Sequence, residues 1–175
     1  MYRFGGGVNP NIAPDDSVLD KNFFLSDCLN FSDPVLNLQL LTLFQQLALK
    51  TDSNIAYIKT AVTTFQYVKG ASRAQLGAMA SPFFCLFEPA DIASITRCLD
   101  RQCDTQQSQD PLRESFAKLY WSTVWQNAHS TPFWCFLMFN IPVDLATRIG
   151  RLSAFEFYDF LNRVTQFGFK LRYHN

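Results

Sequence analysis

The sequence predicts an all-α fold: two similar small helical halves packed together, with short extended segments near residues 83–87 and 168–173. Three observations predict it. Apolar side chains recur at helical spacing through most of the chain. Helix-start signals stand ahead of those runs, at Ser32-Asp33-Pro34, at Ser72 with Gln75, and at Ser153 with Glu156. The order of elements in residues 23–99 then recurs in residues 112–175, with a polar linker at 100–111 and an arm at 1–22.

Composition narrows the function before any element is placed. Of 175 residues, 48% are apolar, 15% aromatic and only 17% charged. So apolar a chain buries a core. Fifteen basic side chains balance fifteen acidic ones, which excludes nucleic-acid binding through bulk positive charge. No apolar stretch approaches the roughly 20 residues of a membrane span. Arg3 is followed by no apolar run of the kind that marks a secretory signal, so a cytoplasmic chain is expected.

Residues 1–20 carry Gly5-Gly6-Gly7, Pro10, Pro14 and Asp15-Asp16 and read as a flexible or docking arm, with Phe23, Phe24 and Leu25 fit to pin its end. Ser32-Asp33-Pro34 opens the first long helix, with proline at the first helical position. Leu36, Leu40, Leu43 and Leu47 share one face, and Leu38, Leu41, Phe44 and Ala48 extend it nearly all round. A helix apolar on every side is covered on every side, which points to a second subunit.

Thr51-Asp52-Ser53 interrupts the pattern, and Ile55, Ile58, Val62, Phe65 and Val68 then predict a second helix ended by Gly70. Ser72 caps a short helix that Pro82 stops. Phe83 to Phe87 read as extended, and Pro89 opens a helix reaching Leu99. After the polar 100–111 segment, a long helix begins at Pro111. Phe116, Leu119, Tyr120 and Val124 line one face, with Trp121 and Trp125 on a neighbouring one. Further helices start at Thr131-Pro132 and Pro142, the latter ended by Gly150. Ser153 caps the last, which carries Phe157, Phe160, Leu161 and Val164. Beyond Gly168, Phe169, Leu171 and Tyr173 alternate with Lys170, Arg172 and His174, as in a half-buried strand.

Ser72 through Phe87 parallels Ser153 through Leu171, with the two caps about 80 residues apart. The pattern argues for an internal repeat. The chain also holds 18 Phe, 6 Tyr and 3 Trp, more ring area than a core of this size absorbs. Exposed rings mark a protein interface, so Leu36, Leu40, Leu43, Phe44, Leu47, Trp121 and Trp125 are read as a surface for a partner or for self-association.

Chemistry-bearing residues are sparse. The cysteines, Cys28, Cys85, Cys98, Cys103 and Cys135, are odd in number and read as reduced thiols. His129 and His174 are the only histidines. A structural zinc site wants four ligands, and no Gly-x-Ser-x-Gly, Walker or dinucleotide fingerprint is present. No catalytic, cofactor-binding or metal-ligating residue is therefore assigned, and the chain is expected not to be an enzyme. Leu145 through Ser153 has the small alanine, glycine and capping serine of a helix-turn-helix core. Arg148, Arg151 and Arg163 are the candidate DNA contacts, although Glu156 and Asp159 on the would-be recognition helix repel phosphate.

The repeat unit resembles the FlhD family, the smaller subunit of the bacterial flagellar master transcription regulator. Phe139-Asn140-Ile141-Pro142 sits at that family's Leu-Gly-Ile turn, with Asn140 in place of the glycine. Leu152-Ser153 sits at its Leu-Thr cap, and Phe167-Gly-Phe-Lys-Leu-Arg172 at its terminal strand. In the first half, Asn37-Leu38, Gln75-Leu76, Met79-Ala80-Ser81 and Cys85-Leu86-Phe87 carry the likeness. Family members have one such unit where this chain has two. The resemblance implies a non-catalytic regulatory subunit acting in transcription through a protein complex, with an FlhC-like zinc-bearing partner and DNA contacted only within that complex. The alternative is a structural or adaptor subunit of a larger bacterial assembly, such as a secretion or conjugation machine, with no DNA contact.

Overall fold

A computed structural model of the chain describes residues 34–50, 56–102 and 110–172. The arm at 1–22, Phe23-Phe24-Leu25, the break at Thr51-Asp52-Ser53, most of the 100–111 linker, Cys28, Cys103, Tyr173 and His174 lie outside those residues. Among the described residues are eight helices and three short strands. They are α1 (Pro34–Lys50), β1 (Ile58–Lys59), α2 (Val62–Gly70), α3 (Arg73–Met79), β2 (Phe87–Pro89) and α4 (Ile92–Leu99), followed by α5 (Pro111–Ser130), α6 (Pro132–Phe139), α7 (Val143–Gly150), α8 (Ala154–Val164) and β3 (Phe169–Leu171). The fold is mostly helical with one small sheet.

Local sequence chemistry sets most boundaries. Ser72 and Ser153 each accept a hydrogen bond from the backbone N–H three residues on, while Gln75 and Glu156 reach back to the cap N–H. These two capping boxes start α3 and α8. Asp110 caps α5, with Pro111 in its first turn. Helix α6 ends at Asn140, whose left-handed backbone (φ 54°, ψ 38°) is the conformation a C-terminal glycine would supply.

Three boundaries depart from expectation. Ile58 belongs to a strand, because the Phe169 N–H donates to the Tyr57 carbonyl at 2.8 Å and Ile58 lies beside Phe169 in parallel register. Helix α2 therefore begins only at Val62. The extended run expected at 83–87 is a strand only from its last residue, the strand being Phe87–Pro89. Pro89 closes that strand instead of opening a helix, and Asp91 caps α4 through the Ser94 N–H. A proline is tolerated there because β2 is an edge strand.

The sheet order is β1-β3-β2, with β3 parallel to β1 and antiparallel to β2. Helix α5 runs through the centre of the described chain and packs against α1, α6, α7 and α8. Its Phe116, Tyr120 and Trp121 meet Phe169 of β3 at ring-centroid distances of 5.0, 4.8 and 6.5 Å, and Tyr57 closes on the same ring at 5.9 Å. Edge-to-face packing suits the ring quadrupoles and lets several rings share one pocket.

Asn37 is buried in the first turn of the leucine-rich α1. Its Nδ2 donates toward the carbonyls of Ala80, Pro82 and Phe84 at 3.4, 3.1 and 2.9 Å, and its Oδ1 accepts from the Leu86 N–H at 2.9 Å. The side chain thus pairs backbone groups of a segment that has no regular structure of its own. Glycine serves close approach: a Cβ at Gly150 would stand 2.5 Å from the Ala128 carbonyl oxygen, and one at Gly168 2.3 Å from that of Tyr57. Gly150 was expected to make the turn, yet no described glycine has a positive φ. What glycine permits is the contact between α5 and α7.

Asn37→Leu removes all four hydrogen bonds at once and leaves buried backbone groups unpaired, so it should lower unfolding free energy by about 2–4 kcal/mol in urea titration. Gly150→Ala should destabilise by about 1–3 kcal/mol. Gly77→Ala, in open space on α3, should be neutral or stabilising by up to about 1 kcal/mol.

Candidate functional site

The helix-turn-helix segment folds as α7, a turn at 151–153, and α8. Ala146 is buried, as the small-residue position requires. Trp125 fixes the turn: its indole Nε1 donates to the Leu152 carbonyl at 3.2 Å, and its ring stacks on Phe157 at 4.4 Å with planes 5° apart.

The three arginines read as DNA contacts fare differently. Arg163 is buried, and its guanidinium donates to Asp159 Oδ2 at 2.7 Å and to the Asp159 carbonyl at 3.2 Å. In that arrangement it cannot meet a phosphate. Arg148 pairs with Asp100. Arg151 is exposed beside the turn. The outward face of the first turns of α8 is Phe155, Glu156 and Tyr158, an aromatic and acidic surface that a polyanion does not favour.

The seven residues read as a partner surface are also redistributed. Leu36, Leu40, Phe44 and Leu47 are buried inside this chain, on a helix packed against α2, α3 and α5, and Trp121 of α5 is buried against Phe160 of α8 and Phe169 of β3, so they are core and not interface. Leu43 and Trp125 are half-buried against that core. One chain supplies cover that seemed to need a second subunit. What α1 leaves open is a groove of about 770 Å³, lined by Val35, Leu38, Leu43, Arg73, Leu76 and Leu119 among others.

The densest charged contacts gather at the β2–β3 pair, where sequence reading placed nothing. Glu88 is buried. Lys170 Nζ reaches its Oε1 at 2.7 Å, and Asn140 Nδ2 and Arg172 Nε approach its Oε2, the arginine at 3.7 Å. Arg172 also donates to the Cys85 and Met138 carbonyls at 3.3 and 3.1 Å and lies over the Phe84 ring at 4.8 Å. Glu88 and Lys170 are direct register partners, a cross-strand pairing that only the tertiary fold creates. Burial raises the affinity of the Glu88 carboxyl for its proton, but the hydrogen bonds from Lys170 and Asn140 and the charges of Lys170 and Arg172 outweigh it, holding the group below its ordinary value.

Thiol chemistry divides in two. Cys85 and Cys135 are free and buried, and burial pushes both up to about 12, far from the thiolate that nucleophilic chemistry needs. Cys98 is disulfide-bonded. That corrects the expectation of five reduced thiols; its partner lies outside the described residues. Among the described residues, no group of three His, Cys, Asp or Glu side chains is gathered where it would hold a metal ion, and no helix is long and apolar enough to cross a membrane.

Several large apolar side chains do reach the surface. Phe133, Phe136 and Leu137 of α6, Phe83 before β2, and Phe155 and Tyr158 of α8 are exposed. The three-and-four spacing of Phe133, Phe136 and Leu137 was visible in the sequence, but periodicity could not say which face of so apolar a helix would point outward.

The sign of the Glu88 contribution is fixed by its lowered affinity for protons. Its stabilising contribution is present above the unfolded-state value, about 4.3 for a glutamate, and is lost as pH falls through the lower folded value. Wild-type stability should therefore drop on acidification below about pH 4.3. Glu88→Gln should be less stable at neutral pH and show a shallower acid decline, as read by melting temperature against pH.

Comparison with protein-family models, with curated proteins and with solved structures finds no match for the chain.

Proposed function

We propose that the chain is a non-catalytic regulatory subunit, resembling FlhD, that acts in transcription through a protein complex. The observation that carries the reading is the repeated plan. The series α1, α2, Ser72-capped α3 and β2 is set beside α5, α6, α7, Ser153-capped α8 and β3, the first series having one helix fewer and β1 in addition. The long helices α1 and α5 pack together, and β2 and β3 pair antiparallel. Two tandem units related in this way would stand where the family uses two separate copies. Neutral net charge fits a subunit that meets DNA only alongside a partner. The cytoplasmic setting belongs to the same proposal; the disulfide at Cys98 is the observation that pulls against it, since cytoplasmic thiols are kept reduced.

A second reading, an adaptor of a larger bacterial assembly without DNA contact, is favoured by one observation. Asp159 and Asp100 already engage Arg163 and Arg148.

Gel retardation separates the two readings. With the regulatory reading, the chain alone leaves duplex DNA unshifted, and adding a zinc-bearing FlhC-like subunit gives a shift that weakens steeply as salt rises. Arg151→Ala should lower that affinity and flatten the salt dependence by about one phosphate contact. If no partner co-purified from the native host produces a shift, the regulatory reading fails and the adaptor reading stands.

A further inference from the structure

Helix α6 and the segment before β2 both expose large apolar side chains. Phe133, Phe136 and Leu137 lie at i, i+3 and i+4 on α6 and are 57, 45 and 41% exposed. Phe83, 66% exposed, stands on the segment tied to the last turn of α6 by the Cys85 N–H, which donates to the Met138 carbonyl at 2.9 Å. No Asp, Glu, Lys or Arg occurs between Ser130 and Val143, nor between Ala74 and Phe87. Arg172 reaches both segments, donating to the Cys85 and Met138 carbonyls, but it is paired there with Glu88, so the two segments bring no charge of their own to a phosphate, a lipid headgroup or a charged peptide. One arginine already beside a carboxylate is not the Lys/Arg-rich polar face that holds an amphipathic helix to an anionic bilayer.

We infer that this face is the interface between two copies of the chain, with α6 packed antiparallel against α6 of the second copy about a two-fold axis. Three arguments select a second copy. An apolar face whose nearby arginine is already paired with Glu88 is complementary to another such face, and an identical one is always present at the same concentration. The chain carries no net charge, so two copies do not repel. The area also suffices. Counting a whole large side chain as roughly 150–250 Å², the four exposed residues offer about 400 Å² per copy. Two copies then bury about 800 Å² of apolar area. Since apolar atoms make up about 60% of an interface, the whole would reach about 1,300 Å², inside the standard size for a specific pair. Helix α6 spans about 12 Å, short enough for Phe136 of both copies to meet near the axis while Phe133 and Leu137 flank it. The inference holds whether or not the chain acts on transcription.

Sedimentation velocity on the full 175-residue chain across a concentration series tests it. The wild type should show a concentration-dependent monomer–dimer equilibrium. Phe133→Asp and, as a milder variant that keeps the fold, Leu137→Gln should weaken dimerisation, the first by about thirtyfold or more. Far-ultraviolet circular dichroism should confirm helix content in both. Phe155→Asp, on the acid-bearing face of α8, should leave the dimer intact. A wild type that stays monomeric at high concentration overturns the proposal, as does a dimer that survives both α6 substitutions or one that Phe155→Asp dissociates. Binding of the α6 face to a different protein or to neutral vesicles, with the wild type monomeric on its own, also overturns it.

Discussion

The amide of Asn37 is the constraint on which the rest of the described structure depends. Leu86 and Phe87 have to enter the core, and the residues before them cross the end of α1 without helix or ladder partners. Met138 and Arg172 pair the backbone of Cys85, and Asn37 meets most of these residues' need for hydrogen bonds. Its two amide protons are shared among three carbonyls, while its oxygen takes the N–H of Leu86. With Leu86 held, its carbonyl receives the Arg172 N–H at 2.8 Å, and β2 lies in register with β3. The Glu88 cluster forms only in that register. A buried polar residue in a leucine-rich helix therefore orders a segment, a sheet and a buried ion network in turn, and the low interior dielectric makes each of these bonds stronger than it would be in water.

Legibility tracked sequence distance. Both capping boxes, the proline starts of α5 and α6, and the alternation in Phe169-Lys170-Leu171 are local signals, and each produced the element it announced. Strand β1 was read as helix because its partner is Phe169, far along the chain, and a two-residue strand leaves no period to detect. Pro89 illustrates the same limit. In isolation it fits a helix start, whereas on the edge of a sheet it fits the last strand position equally well.

Surface chemistry was harder to read than structure. The pairing of Asp159 with Arg163 is four residues apart on one helix and was open to inspection. The pairing of Asp100 with Arg148 joins two separate helix ends and was not. Leu40, Phe44 and Trp121 have the apolar character of an interface, and only the tertiary fold shows what covers them: Phe65 and Phe87 for Phe44, Phe160 and Phe169 for Trp121. The Glu88 cluster had no sequence signature at all, since its four members come from β2, β3, the residue after β3 and the end of α6.

The position of β3 has a consequence for how the molecule is made. It is the middle strand of the sheet, yet it follows every other described element in the chain. Phe169 fills the space between Tyr57, Phe116, Tyr120 and Trp121. During synthesis, the helices upstream emerge first with that space vacant and with β1 and β2 lacking the strand that joins them. Closure must wait for residues 169–171 to leave the ribosome, so the nascent chain passes through a stage in which aromatic surface is open to solvent. Long-range pairing of this kind slows folding, and a chain built this way is a natural client for chaperones that shelter apolar surface until translation has moved past the strand.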